Sequence, residues 1–177
     1  DFMMLVADRA FKHTRTNGVL SDAKAIERWL ILSNALYLPV IPESARWGDS
    51  IETNIVRSRD TDWNNEQVFI GNLLPGNGEA LLSSMRSHGF YPNVAPPLFS
   101  QPDGVVTLPF QFALAHTNGS GDIYYTLDGS DPRLPGGDVN PAAVLYTGPM
   151  PIFQSTRVQA RVLSAGNWSA LNEAVYG

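Results

Sequence analysis

The chain has 177 residues, of which 44% are apolar and 16% charged, a length that fits one domain or two small ones. Its formal net charge is −5, so it lacks the basic surface that a nucleic-acid-binding protein needs. The absence of cysteine excludes a disulfide scaffold, a zinc ribbon and a cysteine nucleophile, and no stretch approaches the roughly 20 apolar residues of a membrane span.

The first residues of the chain bear on whether it is a whole gene product or a part of one. It begins Asp1-Phe2-Met3-Met4, with no initiator methionine and no basic-then-apolar leader. We therefore expect a processed product or an internal fragment of a longer chain, part of whose chemistry lies elsewhere.

The first half of the chain is predicted to be helical. Apolar residues recur at helical spacing from Phe2 to Phe11, and Asn17-Gly18 ends that run. Ser21 is a suitable N-cap for a second helix, which Pro39 and Pro42 interrupt. Further helices are predicted over residues 43–47, 63–74 and 79–88, with Asp60-Thr61-Asp62 as a cap and Trp47 and Trp63 as core anchors.

The second half is predicted to form strands. Apolar and polar residues alternate over 110–114, 123–127 and 157–162, which indicates strands with one buried face and one wet face. Ten of the 13 prolines lie after residue 90, and turn signals separate the strands. The predicted fold class is α+β, with an N-terminal helical subdomain over 1–92 and a C-terminal antiparallel β-sandwich over 97–177.

One segment of the second half resembles a known signature. Ile123-Tyr124-Tyr125-Thr126-Leu127-Asp128-Gly129-Ser130-Asp131-Pro132 is similar to a motif of the chitobiase/β-hexosaminidase C-terminal domain. Tyr146-Thr147-Gly148-Pro149, the strand 156–162 and Gly166-Asn167-Trp168-Ser169 fit the same family. The resemblance covers about residues 97–177 and implies an immunoglobulin-like sandwich of the kind appended to bacterial extracellular enzymes and surface proteins.

The first half resembles a different family. Residues 2–49, above all Glu43-Ser44-Ala45-Arg46-Trp47-Gly48-Asp49, look like the C-terminal helical part of CotH-type proteins, the spore-coat kinase family. Pro39 and Pro42 depart from that pattern, in which the segment is usually one continuous helix. CotH-type proteins supply their phosphoryl-transfer residues upstream of the matched region, and this chain has no Gly-rich phosphate loop. No catalytic residue and no cofactor is therefore assigned.

A charged cluster in the first half has two interpretations. Glu43, Arg46 and Asp49 lie beside Trp47, at a spacing that brings the first two together on a helix. The two carboxylates suit acid–base work, or a nucleotide or sugar site. The favoured interpretation is an ion pair that locks the helix end against the core, because structural ion pairs often mimic catalytic ones.

Two aromatic residues are candidates for contact with a carbohydrate or a protein partner. Tyr124 is expected on the wet face of its strand, and Trp168 lies in a turn. Aromatic faces stack well on sugar rings, but packing in the core or at its rim is the favoured interpretation.

The loop from Asp128 to Asp131 is either a tight turn or a calcium site. Its carboxylates and Ser130 supply oxygen ligands, yet calcium needs six or more. Asp and Ser in such loops commonly bond to their own backbone, so the turn is favoured and no metal ligand is assigned.

These observations predict a non-catalytic structural or interaction fragment of a large secreted or surface-attached bacterial protein. Its expected partners are other domains of the same polypeptide and polysaccharide, with no nucleic acid and no membrane span. Two alternatives stay open: the helical part of a CotH-type kinase lobe, and a carbohydrate-binding accessory module.

Overall fold

A computed structural model describes residues 1–50, 52 and 54–177 of the chain. The helices are α1 (Phe2–Thr14), α2 (Asp22–Leu36), α3 (Val40–Trp47), α4 (Asn64–Leu73) and α5 (Asn77–Ser87), with a π-helical turn (Arg59–Trp63) directly before α4. The strands are β1 (Leu98–Phe99), β2 (Phe110–Phe112), β3 (Leu114–Ala115), β4 (Asp122–Thr126), β5 (Val144–Leu145), β6 (Met150–Ile152), β7 (Thr156–Ser164), β8 (Asn167–Trp168) and β9 (Asn172–Tyr176). The chain is α+β, as its composition predicts.

The paired strands form three antiparallel sheets in the described part of the chain. The largest has the order β5-β4-β7, with β8 and β9 both pairing along the other edge of β7. β1 pairs with β3, and β2 pairs with β6, in two small sheets. The predicted strand over 110–114 is thus two short strands, which pair with different partners on either side of Ala113.

The chain divides by its internal contacts into two compact units. Unit 1 contains Asp1–Lys12 and Leu82–Gly177, so most of α1 and the end of α5 belong with the strands. Unit 2 contains His13–Leu81. The predicted domains, 1–92 and 97–177, are segments expected to fold independently, and this division stays a prediction.

The main core of unit 1 joins the large sheet to the small ones. Alternate residues of β7 are fully buried there, together with residues of β2, β3, β4, β6 and β9: Phe112, Leu114, Ile123, Ile152, Val158, Ala160, Val162, Ala174 and Tyr176. The Phe112 ring lies 5.2 Å from Phe99 and 5.3 Å from Tyr176, measured between centroids. The first contact is edge-on and the second is tilted, and aromatic pairs of this kind stabilise a core beyond the area that they bury.

A second apolar cluster explains why helical segments belong to unit 1. Ala7 of α1 and Leu82 of α5 are buried with Tyr91 and Ala170, and Phe11 packs against them. The apolar spacing of α1 therefore places one side of the helix against residues that follow β8.

Polar contacts join helices α2 and α4 of unit 2. The Trp29 indole donates to the carbonyl oxygen of Gln67 at 3.1 Å, and the Gln67 amide donates to Ser33 Oγ at 2.8 Å. Among its described residues, no apolar side chain is fully buried. The prediction that Trp47 anchors a core is therefore wrong: Trp47 is 54% exposed and stacks with the Arg46 guanidinium, 4.9 Å from its ring centroid.

The helix ends of unit 2 refine the predicted boundaries. Pro42 lies inside α3, in its first turn, rather than before the helix. Proline has no amide hydrogen, and it is tolerated there because the amide groups of the first turn have no hydrogen-bond partner within the helix. The cap before α4 starts at Ser58, whose Oγ accepts from the Thr61 amide while its own amide donates to Asp62. The reciprocal bonding resembles a capping box, but the side chain that bonds back to the cap lies four residues on instead of three, at the start of the π-helical turn. Ser21 does precede α2, but its side chain makes no capping bond.

Candidate functional site

One face of the large sheet carries charged residues that are nevertheless buried. Alternation predicts that Arg157, Gln159 and Arg161 of β7 face water, but Gln159 and Arg161 are buried and Arg161 is only 1% exposed. The prediction of a wet face is wrong at Gln159 and Arg161, because α1 places Asp8 and Lys12 against this side of the sheet, whereas Arg157 is exposed as predicted.

Arg161 is the centre of a cluster that we call the Arg161 clasp: Asp8, Asp131, Arg161 and the carbonyl group of Ser169. The guanidinium donates to both carboxylate oxygens of Asp8 at 2.7–2.8 Å and to both of Asp131 at 2.6–2.7 Å. Its remaining N–H donates to the Ser169 carbonyl at 2.9 Å. All five donors of the side chain are therefore satisfied, in paired geometry that only arginine offers.

The clasp connects three parts of unit 1 that are distant in sequence. Asp8 comes from α1, Asp131 from the loop after β4, and Arg161 from β7. Asp8 also accepts from the Leu171 amide at 2.8 Å. Burial by itself lowers the pKa of the Arg161 guanidinium, but the hydrogen bonds of Asp131 and Asp8 outweigh burial and raise it. The charge is thus retained inside the protein.

A second ionic group fastens the same helix about one turn beyond Asp8. Glu173 of β9 accepts from Lys12 of α1 at 2.6 Å, and from Arg157 and Gln159 of β7. Burial alone would raise the pKa of Glu173, but these three hydrogen bonds and the nearby positive charges lower it to about 2.

The lowered pKa of Glu173 predicts a pH-dependent contribution to stability. A carboxylate whose pKa falls on folding stabilises the protein fully above its unfolded value of about 4.5, and this contribution is lost as the pH falls towards about 2. We expect wild type to exceed Glu173→Gln in unfolding free energy at pH 6, with the difference shrinking between pH 4.5 and 2. Urea unfolding across that range measures it. Glu66→Gln, at an exposed position, controls for the lost charge; a wild-type advantage that does not change with pH would contradict the prediction.

The loop from Asp128 to Asp131 is closed by its own hydrogen bonds. Asp128 Oδ1 accepts from the amide and the hydroxyl of Ser130 at 2.9 and 2.6 Å, and these bonds lower the pKa of Asp128. Asp131 is committed to Arg161. Among the described residues, no group of three or more His, Asp or Glu side chains is placed to hold a metal ion. The oxygen ligands that suggested calcium are used within the fold.

A cleft of about 520 Å³, which we call the Arg133 cleft, opens in unit 1. Glycines 89, 136, 137 and 166 contribute to its wall, together with the side chains of Arg86, Tyr91, Asn93, Arg133, Asn167 and Trp168. The Arg86 guanidinium lies 5.0 Å from the centre of the Tyr91 ring, which is a stacked cation–π contact. The residues that line the cleft therefore include two arginines and two asparagines.

The structure brings the two predicted aromatic residues together. The Tyr124 and Trp168 rings lie 5.8 Å apart at 60°, and Trp168 is buried. The Trp168 indole donates to the Gly137 carbonyl at 2.6 Å, so it holds the glycine-rich wall of the cleft. Tyr124 is half-buried. Contact of either residue with a carbohydrate or a partner stays a prediction.

The predicted cluster of Glu43, Arg46 and Asp49 belongs to unit 2. Glu43 and Arg46 lie on α3, and Asp49 follows its end. Among the described residues, no ion pair joins these three side chains, and Arg46 stacks on Trp47 instead. Their role in lining a site stays a prediction.

Sequence reasoning missed Asp8 and Arg133 as organising residues. A charged residue at an alternating strand position normally indicates a solvated face, and Arg161 carries no local signal of its partner 153 positions away. Arg133 lies between turn residues, where charge is ordinary. The pairing of Asp8 with Arg161, and of Arg133 with Asp1, is seen only when α1 and the residue before it pack against the strands.

No helix in the described part of the chain is long and apolar enough to cross a bilayer.

Comparison with protein-family models matches residues 112–174 to a family described as Fn3 associated. Searches of curated proteins and of solved structures found no match. The matched segment lies within unit 1 and contains β3 to β8 complete, together with Asp131, Arg161 and Ser169 of the clasp. The match indicates a fibronectin-type or immunoglobulin-like associated domain, which is typical of an accessory module.

Proposed function

We propose that the chain is a non-catalytic structural or interaction part of a large secreted or surface-attached bacterial protein. In this proposal unit 1 is an immunoglobulin-like sandwich of the chitobiase C-terminal type, and its partners are neighbouring domains of the same polypeptide. The Fn3-associated match over residues 112–174 supports an accessory module. The extracellular location rests on the resemblance of residues 123–132 to the chitobiase motif.

The observation that carries the proposal is the Arg161 clasp. A guanidinium with all five donors satisfied and two carboxylates bound in pairs is a fixed structural connection, with no group held ready for proton or group transfer. The clasp and the Glu173 group use six charged side chains of unit 1 to hold a helix on a sheet. This arrangement suits a module whose task is to keep its shape and position its neighbours.

A turnover assay tests the proposal. The purified chain is incubated with Mg²⁺, γ-labelled ATP and a casein acceptor, and separately with nitrophenyl N-acetylglucosaminide. We expect no product above the protein-free blank in either assay. Product that forms with wild type and disappears in a charge-neutralising variant, Glu43→Gln or Asp49→Asn, would overturn the proposal.

The CotH-type kinase lobe is the second candidate, and the surface of unit 2 favours it. Helices α2 and α4 leave large apolar side chains exposed, namely Ile31, Leu32, Leu36, Val68, Phe69 and Leu73. A helical part of a larger lobe would cover such residues with other elements. The same assay decides this candidate, because loss of phosphoryl transfer in Glu43→Gln and Asp49→Asn would assign these carboxylates to the chemistry.

A further inference from the structure

We propose that the Arg133 cleft binds a saccharide that carries a carboxylate group. This inference goes beyond the structural role, because it gives unit 1 a ligand and a site. The cleft, about 520 Å³, lies within the usual volume range of small-molecule sites, roughly 300–1,000 Å³.

Arg133 supplies the first reason for an anionic ligand. Its side chain is 15% exposed, and its Nε is buried with no acceptor among the described residues. A buried guanidinium N–H is normally hydrogen-bonded, because leaving it without an acceptor is unfavourable. The Nε atom has no surface open to the cleft as it stands, so a ligand oxygen would satisfy it on displacing the Asp1 carboxylate that pairs with the same guanidinium.

The wall beside Arg133 already holds a carboxylate, that of Asp1, whose side chain is 57% exposed and which the carboxylate of the ligand would replace. Arg133 Nη2 lies 2.8 Å from Asp1 Oδ1, and the Gly136 amide donates to both oxygens of the same carboxylate at 3.2 and 3.3 Å. A guanidinium and a backbone amide that converge on one carboxylate form the kind of site that binds such groups in ligands. Arg86, stacked on Tyr91, adds a second fixed positive charge to the cleft.

The remaining lining favours a sugar over a peptide as the carrier of the carboxylate. The amide side chains of Asn93 and Asn167 both donate and accept hydrogen bonds, as sugar hydroxyl groups do. The glycines of the wall have no side chains to keep a sugar ring from the backbone, and Trp168 supplies an apolar edge. Because the whole chain carries a net charge of −5, an acidic ligand must be recognised through these local cations.

Calorimetric titration of the complete 177-residue chain tests the inference. The probes are tri-galacturonic acid, the neutral trisaccharide cellotriose, and the peptide tri-glutamate. We expect tri-galacturonic acid to bind measurably, more weakly as salt increases, and the other two probes to bind at least tenfold more weakly. Arg133→Gln should weaken tri-galacturonate binding by about tenfold or more, since it removes charged hydrogen bonds. Arg9→Gln, an exposed position outside the cleft lining with the same change of charge, should leave it unchanged.

A second measurement keeps the inference testable if Arg133→Gln fails to fold. In two-dimensional NMR spectra of the wild type, the amide signals of Gly137 and Gly166 should shift on addition of tri-galacturonate, whereas that of Gly119 should not. Equal binding of cellotriose, tighter binding of tri-glutamate, an equal loss in Arg9→Gln, or unchanged signals from the cleft glycines would each overturn the inference. A chain without turnover that also fails to bind leaves the proposed structural role standing.

Discussion

Replacing Arg161 with methionine should lower the free energy of unfolding by about 3–5 kcal/mol, as expected when one partner of a buried ion pair is removed. The substitution keeps much of the side-chain length but leaves the Asp8 and Asp131 carboxylates without their partner. Asp8 is the more costly of the two, because its side chain is only 17% exposed, against 39% for Asp131. Urea or thermal unfolding followed by circular dichroism measures the loss.

The matched control lies on the same strand and the same face. Arg157 also pairs with a carboxylate, that of Glu173, but its own side chain is 50% exposed. Exposed pairs contribute roughly 0–1 kcal/mol, so Arg157→Met should cost about 1 kcal/mol or less. Arg161→Lys tests the geometry, because a single ammonium group cannot make the five bonds and should lose most of the clasp. Equal losses in Arg161→Met and Arg157→Met would show that burial of the clasp does not matter.

The second large effect is expected in the apolar core of unit 1. Phe112→Ala should lower the free energy of unfolding by about 3–5 kcal/mol, because it removes a fully buried ring and leaves a cavity. The loss includes edge-on contacts with Phe99 of β1 and Phe110 of the same strand, and a tilted contact with Tyr176 of β9. Chemical denaturation of the variant, with the slope on denaturant compared to wild type, measures it.

Phe153→Ala is the control for this core substitution. Phe153 follows β6, the strand that pairs with the strand of Phe112, but its ring is 72% exposed. Removing an exposed ring leaves no cavity, so the cost should stay within about 0.5 kcal/mol. If Phe112→Ala also costs less than 1 kcal/mol, the joined core of β2, β4, β6, β7 and β9 does not hold unit 1 together.

Local patterns were sufficient where neighbours in sequence decide the structure. The apolar spacing of Phe2 to Phe11 predicted α1, and the change in composition after residue 90 predicted strands after helices. The turn at Asp128 was predicted because the bonds between Asp128 and Ser130 are local. The same reasoning was wrong for Trp47, since an apolar ring is buried only where other elements cover it.

The sequence by itself determined the α+β class, the succession of helices in the first half and strands in the second, and the self-bonded loop after β4, because each depends on composition or on spacing within a few residues. The tertiary structure alone decided that Gln159 and Arg161 on the second face of β7 are buried, and which carboxylates meet Arg161. Asp8 and Arg161 are 153 positions apart, and alternation cannot tell a face covered by water from one covered by a helix. The Arg133 cleft has the same origin: its lining comes from four separate stretches of the chain, brought together only by the packing of unit 1.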